Sequence, residues 1–324
     1  MSVAQVQTVC GPVAAETLGK THVHEHLVHS LFDSVEPRTT EQNRIWIERT
    51  VDLLQEFRAA GGSTIVDLTN IGMGRDPLSL RTVSERSNVT IVCATGFYHG
   101  EWIPGWVHEA PVEELADLFV RDMTDGIDGT GIRAGVMGEL GTSLNEIWPV
   151  EEKVLRAAAR AQRRTGVAIM THSDYGTMAL EQLGILEREG ADLSRVAIGH
   201  CDVYMPVDTV IEVARRGAWV AFDTIGKDHW EDRGGVRYER PDSDRLEVIL
   251  KLVEAGLGDR ALLASDIVPP PVDGPRRKDP PHYGTPGYGY LLREFVPQLR
   301  AAGVPHDVLE KMTVENPARL LAGV

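Results

Sequence analysis

The 324-residue sequence predicts an α/β protein folded as a single (β/α)8 TIM barrel. Two observations carry that prediction. Eight short apolar runs rich in β-branched residues recur along the chain, and segments with helical spacing lie between them. Strands alternating with helices in this way run parallel with right-handed crossovers, and eight such units suit a closed barrel of about 250 residues or more. An open doubly wound sheet is the alternative, but the glycine-rich phosphate turn that such sheets usually carry after the first strand is missing. No linker-like shift in composition divides the chain, so residues 1–324 are expected to form one domain.

The elements follow in order. "KTHVHEH" (20–26) is the first strand, and its period of two puts His22, His24 and His26 on one face and Val23 and Glu25 on the other. "RIWIERTVDLLQEFRAAGG" brings Ile45, Ile47, Val51, Leu54 and Phe57 close to a 3.6-residue period before a Gly-Gly stop. "STIVDLT" (63–69) and "VTIVCATG" (89–96) are the next strands, and "PVEELADLFVRDM" opens a helix on proline. "IRAGVMGE" (132–139) is the fourth strand, and "EEKVLRAAARAQRRTG" is a helix that stops at glycine. "GVAIMTH" (166–172), "RVAIGH" (195–200) and "GAWVAFD" (217–223) come next, then the helix "DRLEVILKLVEAGLG" and the eighth strand, "RALLASD" (260–266). Residues 267–290 are too rich in proline and glycine for a helix and read as a long structured loop, a place where function is often carried. "PHDVLEKMTVENPARLLAGV" is a last amphipathic piece that caps the C-terminus.

Bulk properties exclude several classes. Hydrophobic residues make up 42%, enough for a substantial core, yet no apolar run is long enough to cross a membrane. "MSVAQVQTVCGPV" has no basic region followed by an apolar one, so no secretory signal is expected and a cytoplasmic location is. Cys10, Cys93 and Cys201 are too few and too scattered for a disulfide framework and read as reduced thiols. A net charge of −15 argues against a nucleic-acid partner.

In barrels of this kind the chemistry sits at the C-terminal ends of the strands. Those ends carry His24 and His26, then Glu139, His172, His200, Asp223 and Asp266. Four imidazoles and two or more carboxylates are the donor set for a pair of divalent ions. Neutral imidazole suits zinc, and a carboxylate can bridge two ions with its two oxygens. Ions about 3.5–4 Å apart can share an activated water and clamp a reacting oxygen.

At these residues the sequence resembles the phosphotriesterase family of the amidohydrolase superfamily. The resemblance runs over nearly the whole chain and rests on "THVHEH", "GVMGELGTS", "MTHS", "IGHCD" and "LLASDI". It implies that His24, His26 and Asp266 hold one ion, that His172 and His200 hold the other, and that the residue at position 139 bridges them. Phosphotriesterases and many lactonases carry a carbamylated lysine there; Glu139 is similar instead to the phosphotriesterase-related branch, whose members include an enzyme acting on N-acyl taurine. The implied activity is hydrolysis of a carbonyl substrate (a lactone, carboxylic ester or N-acyl amide) by a metal-bridging hydroxide, with Asp266 accepting its proton. A phosphotriester substrate and a non-catalytic metal- or ligand-binding relative are the alternatives. Two divalent ions per chain are implied, zinc by default, with manganese, cobalt or iron allowed, and the resemblance allows a homodimer.

Other residues are read individually. His22 is expected deeper in the barrel interior in a structural role, and His29 beyond the strand on a loop. Asp223 is read as a structural hydrogen-bonding group, or as one that faces the substrate or backs a ligand, and Asp202 as a loop cap or an acceptor orienting a ligand imidazole. Tyr98 in "TGFYHG" is expected in the cleft, with Trp102 and Trp106 walling the pocket or an interface. In the last loop, Arg276, Arg277 and Lys278 form a cationic run that reads as solvated or as a reader of an anionic substrate group. Tyr283 and Tyr288 are candidate pocket residues.

Overall fold

The computed structural model describes residues 4–27, 40–231, 237–268 and 286–323. Eight strands form one sheet in which chain neighbours are also spatial neighbours: β1 (Lys20–Glu25), β2 (Gly62–Asp67), β3 (Thr90–Thr95), β4 (Val136–Thr142), β5 (Ala168–Ser173), β6 (Val196–Ile198), β7 (Trp219–Phe222) and β8 (Ala261–Leu263). Every adjacent pair is parallel. Seven helices fill the crossovers: α1 (Thr40–Ala59), α2 (Pro77–Ser87), α3 (Val112–Thr124), α4 (Pro149–Thr165), α5 (Ala179–Arg188), α6 (Val207–Arg215) and α7 (Asp242–Glu254). The eight expected strands are all present, in a single (β/α)8 barrel.

Buried residues fall into two layers, as parallel strands covered on both sides require. Val23, Val66, Leu68, Val92, Ala94, Val136, Ala168, Met170, Ala197, Ala221 and Leu262 fill the barrel. The alternate positions, such as Ile65, Ile91, Ile169 and Ile198, pack outward with Leu54, Leu80, Leu115 and Leu155 of the helices. An antiparallel hairpin, Gln5–Thr8 with Gly11–Ala14, contributes Val6 to the interior cluster, and the C-terminal helix Asn316–Ala322 contributes Leu320 and Leu321.

The barrel closes between β8 and β1 just past their paired residues. Asp266 donates its backbone N–H to the His24 carbonyl and His26 donates to the Ile267 carbonyl, both at 3.0 Å. The Glu25 carboxylate accepts the backbone N–H of Ser265 at 3.0 Å and of Ile267 at 2.7 Å. The seam is therefore stitched by the residues that flank three of the sequence-predicted ligands.

Three details differ from the sequence expectation. The inward stripe of α1 is Trp46, Thr50, Leu54 and Phe57, so the two isoleucines at its start flank the stripe and Trp46 fills it. β4 begins and ends later than 132–139, and Glu139 lies inside it at a register irregularity between Met137 and Leu140. A second irregularity, between His22 and Glu25, breaks the alternation of β1. His22 consequently faces outward, its ring 4.7 Å from that of Phe57 in α1 and its Nδ1 2.8 Å from Glu25 Oε1. It is buried and structural, but between barrel and helix and not in the barrel interior.

Candidate metal centre

Three of the candidate side chains, Glu139, His200 and Asp266, are aimed by a local backbone device. Gly138 and Gly199 directly precede Glu139 and His200, and a Cβ at these positions would lie 2.8 Å from the Met170 carbonyl and 2.2 Å from the Thr171 carbonyl. Only glycine allows the chain so close to the neighbouring strand. His200 (φ 57°) and Asp266 (φ 48°) adopt the left-handed region, which non-glycine residues enter at a cost and which recurs at functional sites. Both turn sharply out of their strands there.

The result is a buried cluster at the C-terminal mouth. His24, His26, Glu139, His172 and His200 are buried, and the Asp266 side chain is 16% exposed. His24, His26 and Asp266 form one group of potential ligands; Glu139, His172 and His200 form another. Glu139 spans the two, with Oε1 3.1 Å from His26 Nε2 and Oε2 3.0 Å from His172 Nδ1. His24 Nε2 lies 3.4 Å from Glu139 Oε2, and His200 Nε2 lies 2.7 Å from His172 Nδ1.

The opposite ring nitrogens are held in place, which fixes how each imidazole faces. Asp223 takes two of them: Oδ2 is 2.7 Å from His24 Nδ1, and Oδ1 is 2.9 Å from His200 Nδ1. His26 Nδ1 is 3.0 Å from Thr69 Oγ1, and Thr69 is fixed by its backbone N–H donating to Asp67 Oδ1. Asp266 Oδ2 forms an ion pair with Lys227, which is 3% exposed.

Mutual charging follows. Burial works against ionisation of Glu139, but the surrounding histidines outweigh it and hold its carboxyl well below the usual range. Burial likewise opposes ionisation of Asp266, and Lys227 and His26 overcome it. Burial lowers the histidines, yet the facing carboxylates raise His26 to about 9, His200 to about 10, and His24 well above its ordinary value.

The donor set fits a pair of divalent ions. His24 Nε2 is buried, faces the cluster and has no hydrogen-bond partner. Two imidazole nitrogens, on His172 and His200, point at one another and at one carboxylate oxygen, an arrangement that a shared cation satisfies.

The remaining sequence candidates separate clearly. Tyr98 stands beside the cluster, its hydroxyl 3.3 Å from His172 Nε2. Asp223 is fully buried beneath the imidazoles with both oxygens engaged, so it orients histidines and does not face a substrate. Tyr288 is 1% exposed in the helix-facing layer and donates its hydroxyl to the His26 carbonyl at 3.1 Å, which removes it from the pocket. Asp202 caps the turn after β7 through the backbone N–H of Asp223 and Thr224, the loop-cap reading. Trp106 is half-exposed and meets Phe97 edge-on. His29, Arg276, Arg277, Lys278 and Tyr283 lie outside the described residues.

Glu25, Asp67, Thr69 and Lys227 take part in holding the centre without having been singled out in the sequence. Asp67 had a usable signal, since it ends β2 as Asp223 follows β7. Lys227 had none: it is a single lysine in "TIGKD" whose partner is 39 residues away.

Fold and site together define a (β/α)8 barrel with a histidine- and carboxylate-lined centre at the strand ends. The chain belongs to the phosphotriesterase family, whose model matches residues 4–321. It is 36% identical over 304 residues to the phosphotriesterase homology protein of Escherichia coli K12, covering 93% of this chain and 97% of that one. It is 31% identical to the human N-acetyltaurine hydrolase, covering 98% of this chain and 97% of the relative. Among solved structures, a mutant form of a phosphotriesterase-like lactonase from Deinococcus radiodurans superposes with a TM-score of 0.85 at 34% identity, covering 98% and 99% of the two chains. No helix among the described residues is long and apolar enough to cross a membrane.

Proposed function

We propose that this chain is a two-metal hydrolase of a small carbonyl substrate, a lactone, carboxylic ester or N-acyl amide. The observation that carries the proposal is the division of Glu139 between the two ligand groups, one oxygen toward His26 and the other toward His172. His24, His26 and Asp266 would hold one ion, His172 and His200 the other, and Glu139 both; zinc is the default for these nitrogen and oxygen donors. When bound, such a pair supplies an activated water and polarises the scissile carbonyl.

The side chains do the rest. Asp223 and Thr69 hold the imidazoles with Nε2 of His24, His26 and His200 facing inward. Asp266 accepts the proton given up as water adds to the carbonyl, and Lys227 keeps that carboxylate ionised until then. Tyr98, whose hydroxyl lies 3.3 Å from His172 Nε2, would touch the substrate. The carbonyl preference draws on the N-acetyltaurine hydrolases and the lactonase among the similar proteins.

A panel of lactones, aryl esters, N-acyl amino acids and sulfonates, and a phosphotriester, assayed with and without chelator, tests this. The expected result is chelator-sensitive turnover of a carbonyl substrate, with the phosphotriester slower. Efficient turnover of the phosphotriester alone overturns the substrate assignment, and two bound ions with no chelator-sensitive turnover on any compound favours a binding protein.

A further inference from the structure

Arg245 belongs to α7 and touches none of the candidate ligands, yet its side chain is fully buried. A buried guanidinium is costly unless its donors are matched, and an apolar residue would fill the same space more cheaply. Here each guanidinium nitrogen has an acceptor, and two of the partners, Thr224 and Lys227, lie on the turn that follows β7. Nε donates to Thr224 Oγ1 at 3.2 Å and lies 3.3 Å from Asp202 Oδ2. Nη2 donates to the Lys227 carbonyl at 2.8 Å, and Nη1 donates to the Arg240 carbonyl at 2.6 Å and to Asp242 Oδ1 at 2.9 Å.

Three carboxylates lie near the guanidinium, with Asp228 Oδ1 3.8 Å from Nη1, and two of them, Asp202 and Asp242, accept from the same turn. Asp202 accepts the backbone N–H of Asp223 at 3.3 Å and of Thr224 at 3.0 Å. Asp242 accepts the backbone N–H of Gly226 at 3.0 Å. Residues 223–227 are thus gripped from both ends by one arginine and two of its neighbouring acids, Asp202 and Asp242. That short segment carries Asp223, which holds His24 and His200, and Lys227, which holds Asp266. His24 and Asp266 belong to one ligand group and His200 to the other.

We infer that Arg245 is a positioning residue for both halves of the candidate centre: from α7 it fixes the turn that aims His24, His200 and Asp266. The inference rests on the two-metal reading above. It identifies α7, which contributes no ligand, as an element whose displacement would be felt at both ions together.

The test uses the full-length protein, stripped with chelator and titrated with zinc, and with cobalt as a spectroscopic probe. Arg245→Met is compared with wild type, with Arg245→Lys, and with Arg75→Met. Arg75 forms a largely buried pair with Asp122, away from the centre, and controls for loss of a buried charge. The expected result is a folded Arg245→Met whose affinity for both ions falls about 10–100-fold, with an altered cobalt visible spectrum. Arg245→Lys recovers part of the loss, because it keeps the charge but not the fork, and Arg75→Met loses stability while keeping wild-type affinity. Wild-type affinity and spectrum in Arg245→Met overturn the inference. Should Arg245→Met fail to fold, Arg245→Lys decides: weakened binding of both ions supports the inference and wild-type binding overturns it. A wild type that binds no ions removes the underlying reading and this inference with it, whereas two ions bound equally by wild type and variant remove the inference alone.

Discussion

Asp266→Asn is expected to retain the fold and lose turnover by about 10²–10⁴-fold, the range for removing a positioned general base. The amide keeps the size of the carboxylate and can still offer its carbonyl oxygen toward His26, which lies 3.2 Å from Asp266 Oδ1. It cannot carry the negative charge that pairs with Lys227, nor accept a proton from the attacking water. The loss should therefore fall on kcat more than on KM. Steady-state kinetics with the best carbonyl substrate of the panel check this, alongside circular dichroism to confirm folding. A variant within threefold of wild-type kcat would take Asp266 out of the proton transfer.

Metal affinity is expected to fall steeply on acidification. His26 is raised to about 9 and His200 to about 10, so both imidazoles hold protons at neutral pH and an ion must displace them. The sign follows from the direction of the shifts: lowering the pH favours the protonated histidines and opposes the metal. Displacing one or two protons makes the affinity fall by about ten- to a hundredfold per pH unit below pH 9. Competition titrations against a chromophoric chelator from pH 6 to 9 measure the slope. A flat profile would show that the histidines are already neutral and that the carboxylates around them do not charge them.

The barrel was legible because its evidence is local and repeated. A run such as Val89–Gly96 announces a strand within eight residues, and the histidines and acids at strand ends mark which rim carries the chemistry. Glu139, His172, His200 and Asp266 were legible for the same reason, since each ends or directly follows an apolar run, whereas His24 and His26 were legible from their alternation; the structure gathers all six. What escaped detection depends on single-residue shifts or on distant partners. The irregularities in β1 and β4 turned His22 outward and moved Glu139 inside its strand, and nothing in "THVHEH" or "GVMGEL" marks a slip in register. Tyr288 is anchored by a carbonyl 262 residues away, and the Asp266 partner Lys227 comes from another loop. Arg245 reads in the sequence as an ordinary charged residue of an amphipathic helix; only the tertiary fold shows that it is fully buried.

Metal analysis of the purified full-length protein, wild type beside Glu139→Ala, tests the central claim most directly. The account predicts two divalent ions per wild-type chain after incubation with excess metal and removal of the surplus. It predicts loss of one or both in Glu139→Ala, because that carboxylate is the group shared between His26 on one side and His172 on the other. A wild type that retains no ion, or a variant that retains both as tightly as wild type, would contradict it.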